Sequence, residues 1–285
     1  MPDTVDPRRA SQAFSEKAGL AWVRLQEQTD AQIDAFGRAA IAALGVAAGD
    51  RVVDVGCGCG QTLLELGDLV GAAGHVLGVD VSEPMLARAR TRVADRATVA
   101  LVRADAQTHA FAPGGFDAVY SRFGVMFFDD ARVAFANLRR ALRPGGRLGF
   151  VSWQSLERNL WAARPLEAVM RLLPPSALPP MFVEGVPGPF FLSDPARIRS
   201  ILSDAGWQGV EIAPVELPIN VGGAATLDEA TVYGLQIGPA ARAMADAPAE
   251  LRPALEAALR EALAPFAGVR GVWMDGAALV VTAHA

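Results

Sequence analysis

Apolar positions along the chain change rhythm twice. Over residues 8–45 they recur at helical spacing: Phe14, Ala18, Leu20, Trp22, Leu25, Ile33, Phe36, Ala40, Ile41 and Leu44 form a broken stripe that suits two helices. Gly45 to Asp50 supplies a turn. Short β-branched runs then alternate with amphipathic segments. Strands are expected at Arg51–Val55, His75–Asp80, Val99–Arg103, Phe116–Ser121 and Arg147–Trp153. Helices are expected at Gln61–Val70, from Glu83 onward, and at Ala131–Leu142, the last closed by Pro144-Gly145-Gly146. Ser82 stands at an N-cap position with Pro84 in the first turn behind it. Strands separated by helices of this length imply parallel pairing through right-handed crossovers. The expected fold is a doubly wound α/β sheet.

After Trp153 the texture changes. Leu160–Leu173 reads as helix, and six prolines then punctuate residues 174–189. Irregular stretches of that length are commonly lids or binding loops. Met181, Phe182, Phe190 and Phe191 are expected to face a cavity or core there. Asp194–Ala205 is helical with Gly206 at its end. Trp207–Pro214 and Ala277–Ala283 read as late strands, with an alanine-rich helical insert over Leu227–Phe266 between them. The expected organisation is an N-terminal helical cover (1–48) and an α/β core (49–155 and 195–285, insert at 227–266). A Pro-rich lid (156–194) completes it.

Charge narrows the function. The 285 residues carry 26 basic and 31 acidic groups, a net of −5, whereas nucleic-acid binders normally present a basic face. A small-molecule partner is expected, with no nucleic acid. Arg139, Arg140, Arg143 and Arg147 read as a helix end and its loop, where cations meet the negative pole of the dipole. No window approaches a membrane span, and no apolar segment follows the charged start, so a cytoplasmic location is expected. Cys57 and Cys59 are separated by one glycine, a spacing that strains a disulfide and lacks the further thiolates of a zinc site. They read as small residues filling a turn, and no metal is expected.

The chemistry concentrates at Val52-Val53-Asp54-Val55-Gly56-Cys57-Gly58-Cys59-Gly60. A strand running through glycines into a helix lets a ligand approach the main chain closely. The glycines fall as G-x-G-x-G, not the G-x-G-x-x-G of dinucleotide sites, and Asp54 precedes them by two. A carboxylate there would repel a pyrophosphate but suits a cationic amino-acid moiety. Asp80 closes the second expected strand, where a carboxylate can accept both ribose hydroxyls. Asp105, followed by Ala106, closes the third and can read an adenine edge. Ser121, Arg122 and Phe123 end the fourth, beside the crevice where strand order reverses.

VVDVGCGCGQT, GVDVS, RADAQ, FDAVYSRFGVMFF and LRRALRPGGRL resemble the successive motifs of class I S-adenosylmethionine-dependent methyltransferases, over roughly Arg51–Trp153. The spelling is similar to the small-molecule enzymes of ubiquinone/menaquinone-biosynthesis type. The resemblance implies S-adenosyl-L-methionine as cofactor and a mostly parallel, seven-stranded Rossmann-like sheet whose last strand runs antiparallel. Gly56, Cys57, Gly58 and Gly60 would then border the methionine part, with Asp54 beside them. Asp80 would hold the ribose, Val81 and Met85 would pack near the adenine, Asp105 and Ala106 would address its edge, and Ser121 would line the cleft with Arg122 and Phe123.

Methyl transfer from a sulfonium mainly needs a nucleophile held in line. His109 reads as solvent-facing, His75 lies at the wrong end of the sheet, and Tyr120 and Ser121 alternate and cannot both face the cleft. Asp129 and Asp130 read as caps of the helix at Ala131. No dedicated acid–base residue is expected. Trp22, Gln26, Arg122, Phe123, Met181 and Phe190 are the candidates for cover and acceptor contact, and the apolar ones point to a lipophilic or aromatic acceptor. Three other readings remain: an NAD-dependent oxidoreductase, an enzyme using the same cofactor without methylating, and a non-catalytic binding or regulatory module on the same fold. The acceptor and the oligomeric state are not legible, a homodimer being one option.

Overall fold

The computed structural model describes residues 19–177 and 186–285. Two helices open it, α1 (Gly19–Arg24) and α2 (Gln26–Leu44). Phe36, Ala40, Ile41 and Leu44 on α2 are buried, as the stripe requires, and Gly45 closes the helix in the left-handed conformation. Residues 8–18 of the expected helical region, and Met181 and Phe182, lie outside the described residues.

Strand and helix then alternate: β1 (Arg51–Val55), α3 (Gln61–Val70), β2 (His75–Asp80), α4 (Glu83–Arg92), β3 (Val99–Arg103) and β4 (Phe116–Arg122). α5 (Ala131–Ala141) leads into β5 (Leu142–Trp153). α6 (Leu160–Met170) and α7 (Pro195–Asp204) precede β6 (Gln208–Asn220). The insert holds α8 (Leu227–Gly234), α9 (Pro239–Ala243) and α10 (Arg252–Leu263), and the chain ends with β7 (Ala267–Gly268) and β8 (Gly271–His284).

Seven strands form one path in the order β3-β2-β1-β4-β5-β8-β6, and the two-residue β7 folds against the start of β8 as an eighth. β1 pairs in parallel with β2 and β4, and β4 with β5. Only β8 opposes its long neighbours, running antiparallel to β5 and β6. The order reverses between β1 and β4, which places a crevice at the carboxyl ends of those strands. β6 continues past the expected end at Pro214, through Pro218 to Asn220. It is an edge strand, so its prolines need not donate to a second neighbour.

Two hydrophobic clusters hold the molecule. The larger sandwiches the sheet between α2 and the crossover helices. The smaller joins Leu166 and Val169 of α6 with Ala230, Tyr233, Leu255 and Leu259 of the insert. α6 therefore packs with the insert helices across the chain.

Candidate cofactor and acceptor site

The glycine loop leaves β1 with Gly56 at φ 71°. A Cβ on Gly56 would stand 2.9 Å from the Cα of Gly124. The loops after β1 and β4 therefore meet backbone to backbone, and glycine is required for that approach. The loop spends its N–H groups internally. Gly56 and Cys57 donate to the Val79 carbonyl at 2.8 and 3.3 Å, and Gly60 donates to the Cys57 carbonyl at 3.0 Å. Gly58 donates to Asp80 Oδ2 at 2.9 Å.

The acidic strand ends differ in environment. Asp54 is 1% exposed and accepts the Thr62 hydroxyl at 2.5 Å. Burial pushes its carboxyl up to about 7, with that hydrogen bond opposing. Asp80 accepts the N–H groups of Gly58 and Ser82, at 2.9 and 2.8 Å. Burial raises it too, and the backbone donors pull the other way. Asp105 is exposed and accepts the Gln107 N–H at 2.8 Å. Asn137 of α5 pins the turn after β3 by donating to the carbonyls of Ala106 and His109, at 2.9 Å each.

A cavity of about 450 Å³ runs from this loop into the space beneath the helices. Gly56, Cys57, Gly58, Asp80, Val81, Met85, Asp105 and Ala106 line one end. Trp22, Gln26, Arg122, Phe123 and Phe190 line it as well. Three residues expected in the wall are placed elsewhere. Asp54 and Gly60 sit behind it, Asp54 bonded to Thr62 on α3. Ser121 is fully buried, donating to the Val55 carbonyl at 2.8 Å and accepting the Gly124 N–H at 3.2 Å. It ties the two loops together. Tyr120 points to the opposite face, where its hydroxyl donates to the Gly37 carbonyl at 3.0 Å.

Part of the cavity lining is aromatic: Phe123, Trp153 and Trp161 all face it. Phe123 is the one non-glycine among the described residues with positive φ, 58°. That conformation costs about 1–2 kcal/mol for a residue with a Cβ. It is held by the Phe123 N–H, which donates to the Val151 carbonyl at 3.0 Å. The turn lays the Phe123 ring on Trp153, centroids 4.0 Å apart and planes 14° from parallel. Trp161 tilts against Trp153 at 5.1 Å. No histidine lines the cavity among the described residues, and His109 packs edge-on against Phe111. The cap of α5 comes from Asp130, which accepts the Val133 N–H at 3.1 Å; Asp129 lines the cavity instead.

Sequence reasoning missed Asp30. Arg92 meets its Oδ2 at 2.9 Å and Arg122 its Oδ1 at 3.2 Å, and all three groups are largely buried. Arg92 also donates to the Cys59 carbonyl at 3.1 Å, and Arg122 to Gln61 at 2.5 Å. Arg88 joins α2 through Gln26. These bonds fasten α2 to the glycine loop, α4 and the end of β4. Arg122 is thus an ion-pair member on the cavity wall. Of the basic run, Arg143 pairs with Asp117 and Arg147 with Asp50. Cys57 and Cys59 are buried free thiols, burial pushing Cys59 up to about 12.

A loop whose N–H groups are already engaged offers little to a pyrophosphate, and the carboxylates of Asp80 and Asp105 line the cavity at the ends of β2 and β3. Those features fit a cationic, adenosine-bearing group and disfavour a dinucleotide. Over residues 52–146 the chain matches the family model described as a methyltransferase domain. That segment is similar to methyltransferase domains, as the motifs over Arg51–Trp153 lead one to expect. The chain is 36% identical to nocamycin O-methyltransferase of Saccharothrix syringae over 137 residues, 46% of this chain and 48% of that one. It is 38% identical to demethylmenaquinone methyltransferase of Staphylococcus aureus over 103 residues, covering 36% and 43%. The chain spans about half the length of the curated relatives it matches. Among solved structures, phosphoethanolamine N-methyltransferase 2 of Haemonchus contortus, in complex with S-adenosyl-L-methionine, shares the fold. The TM-score is 0.59 at 18% identity, over 99% of this chain and 60% of that one. No helix among the described residues is long and apolar enough to cross a membrane.

Proposed function

We propose that this protein binds S-adenosyl-L-methionine at the glycine-loop end of the cavity and methylates a small, lipophilic or aromatic metabolite held against its aromatic lining. The observation that carries the reading is continuity: one cavity joins the acidic strand ends to the Phe123–Trp153–Trp161 aromatic wall. Asp80 would hold the ribose, and Val81, Met85 and Ala106 would pack around the adenine. When bound, the cofactor supplies an electrophilic methyl group on a sulfonium.

The chain's own part is positional. Phe123 and Trp153, stacked on one another, supply apolar aromatic surface to the cavity wall for the acceptor and keep water from it. The aspartates at the glycine-loop end suit a positive charge. With no imidazole on the wall among the described residues, the rate gain comes from orientation, and an acidic acceptor proton leaves to solvent. The acidic balance of the chain, 31 acidic against 26 basic groups, supports a small acceptor over nucleic acid.

The test is calorimetric titration with S-adenosylmethionine and S-adenosylhomocysteine, followed by mass detection of S-adenosylhomocysteine formed with aromatic acceptors. Micromolar binding and acceptor-dependent product support the reading. Binding no tighter than millimolar, or tight binding of NAD, would sink it. Formation of methylthioadenosine in place of S-adenosylhomocysteine would favour a non-methylating use of the cofactor.

A further inference from the structure

Thr29 and Gln32 of α2 and Tyr233 of α8 also line the cavity, all three buried. They form one cluster. Tyr233 and Thr29 hydroxyl oxygens stand 3.4 Å apart, a long and weak contact. Gln32 Oε1 accepts the Gly222 N–H at 2.7 Å. Gly222 also sits against the Tyr233 ring: a Cβ there would fall 2.4 Å from the ring's Cγ. Gly222 thus brings the glutamine and the tyrosine to one place.

The donor count of this cluster is uneven. Gln32 spends its carbonyl on Gly222, and none of the described residues accepts from its Nε2. The Tyr233 hydroxyl has only the long contact to Thr29 among the described residues. Burial pushes the Tyr233 phenol well above its ordinary range, so it keeps its proton and can donate. Both residues line the cavity, where a ligand that carries an acceptor can answer these donors.

Resting on the methyl-transfer reading above, we propose that Tyr233 and Gln32 are specificity residues that donate to a carbonyl oxygen of the acceptor. The acceptor class is then a planar, largely apolar ketone or quinone-like compound. Its body lies along Phe123, Trp153 and Trp161, and its oxygen meets Tyr233 and Gln32. A hydrocarbon of the same shape would leave both donors unanswered.

The experiment compares 1-tetralone with tetralin, a ketone and a hydrocarbon of matched shape, by quenching of tryptophan fluorescence with S-adenosylhomocysteine present. The native protein is expected to bind the ketone about tenfold tighter, roughly what one or two neutral hydrogen bonds supply. Tyr233→Phe removes only the hydroxyl, and Gln32→Glu keeps the acceptor for Gly222 while removing the donor. Each should cut the preference about threefold or more and leave tetralin and S-adenosylhomocysteine affinity unchanged. No ketone preference in the native protein, or an undiminished one in both variants, overturns the proposal. Failure of S-adenosylhomocysteine to bind at all would instead strike the methyl-transfer reading.

Discussion

Asp30 and Arg122, 92 residues apart in the chain, meet at 3.2 Å in a largely buried ion pair that Arg92 extends from the other side. This carboxylate connects the N-terminal helix to the end of β4 and, through Arg92, to the glycine loop. Truncating one partner of a buried pair leaves the other charge uncompensated. Asp30→Asn should therefore weaken S-adenosylhomocysteine binding about tenfold or more and lower stability by about 1–3 kcal/mol. Calorimetry and urea unfolding give the two numbers. An unchanged affinity would show that α2 does not position the loop.

Asp54 predicts a pH dependence of stability. Its carboxyl titrates near 7 when folded and near its ordinary 3.8 when unfolded. Between those values the native state holds a proton that the unfolded chain releases. Stability from this group is thus full below pH 3.8, falls as pH rises, and is lost above 7. The whole span is on the order of 4 kcal/mol. Asp54→Asn, which keeps an acceptor for Thr62, should be more stable than the native protein at pH 8.5 and similar at pH 4. Equal pH profiles for the two proteins would show that another group titrates.

Phe123 separates backbone strain from side-chain packing. Both Phe123→Ala and Phe123→Gly remove the ring from Trp153, but only glycine accepts φ 58° without penalty. The glycine variant should be more stable than the alanine variant by about 1 kcal/mol in urea unfolding. Both should lose turnover of aromatic acceptors while keeping cofactor affinity within about twofold. A more stable alanine variant would mean that the turn relaxes.

Asp80→Asn tests the ribose assignment. The amide oxygen can still accept one of the two N–H bonds from Gly58 and Ser82. The variant should fold and bind S-adenosylhomocysteine about 10- to 100-fold more weakly, as expected when charge-assisted bonds are lost. Affinity within a factor of two would remove Asp80 from the site.

Much of this was legible in the chain, for a reason that also marks the boundary. β1 to β5 and the acidic strand ends appear because β-branched runs stop at glycines or carboxylates within a few residues. Local spacing is enough for them. β6 was cut short at Pro214 because a proline ends a central strand, and only the tertiary pairing reveals an edge. Ser121 was placed on the cleft because it stands at the carboxyl end of the strand beside the crevice. Ser121 keeps its alternation opposite Tyr120, but its hydroxyl is taken up by the Val55 carbonyl of the neighbouring strand. Asp30, Gln32 and Tyr233 lie on helices whose partners are scores of residues away, and no local pattern announces that they share a cavity.

The two hydrophobic clusters divide the cavity's walls unequally. The glycine-loop end rests on the sheet's own core, while Tyr233 rests on the cluster built by α6 and the insert. Substitutions in that second cluster reshape the acceptor's seat without passing through the strands that carry Asp54 and Asp80. On the methyl-transfer reading, a lineage of such proteins can change its acceptor while the donor stays fixed, and the variation should gather in residues 160–170 and 227–263.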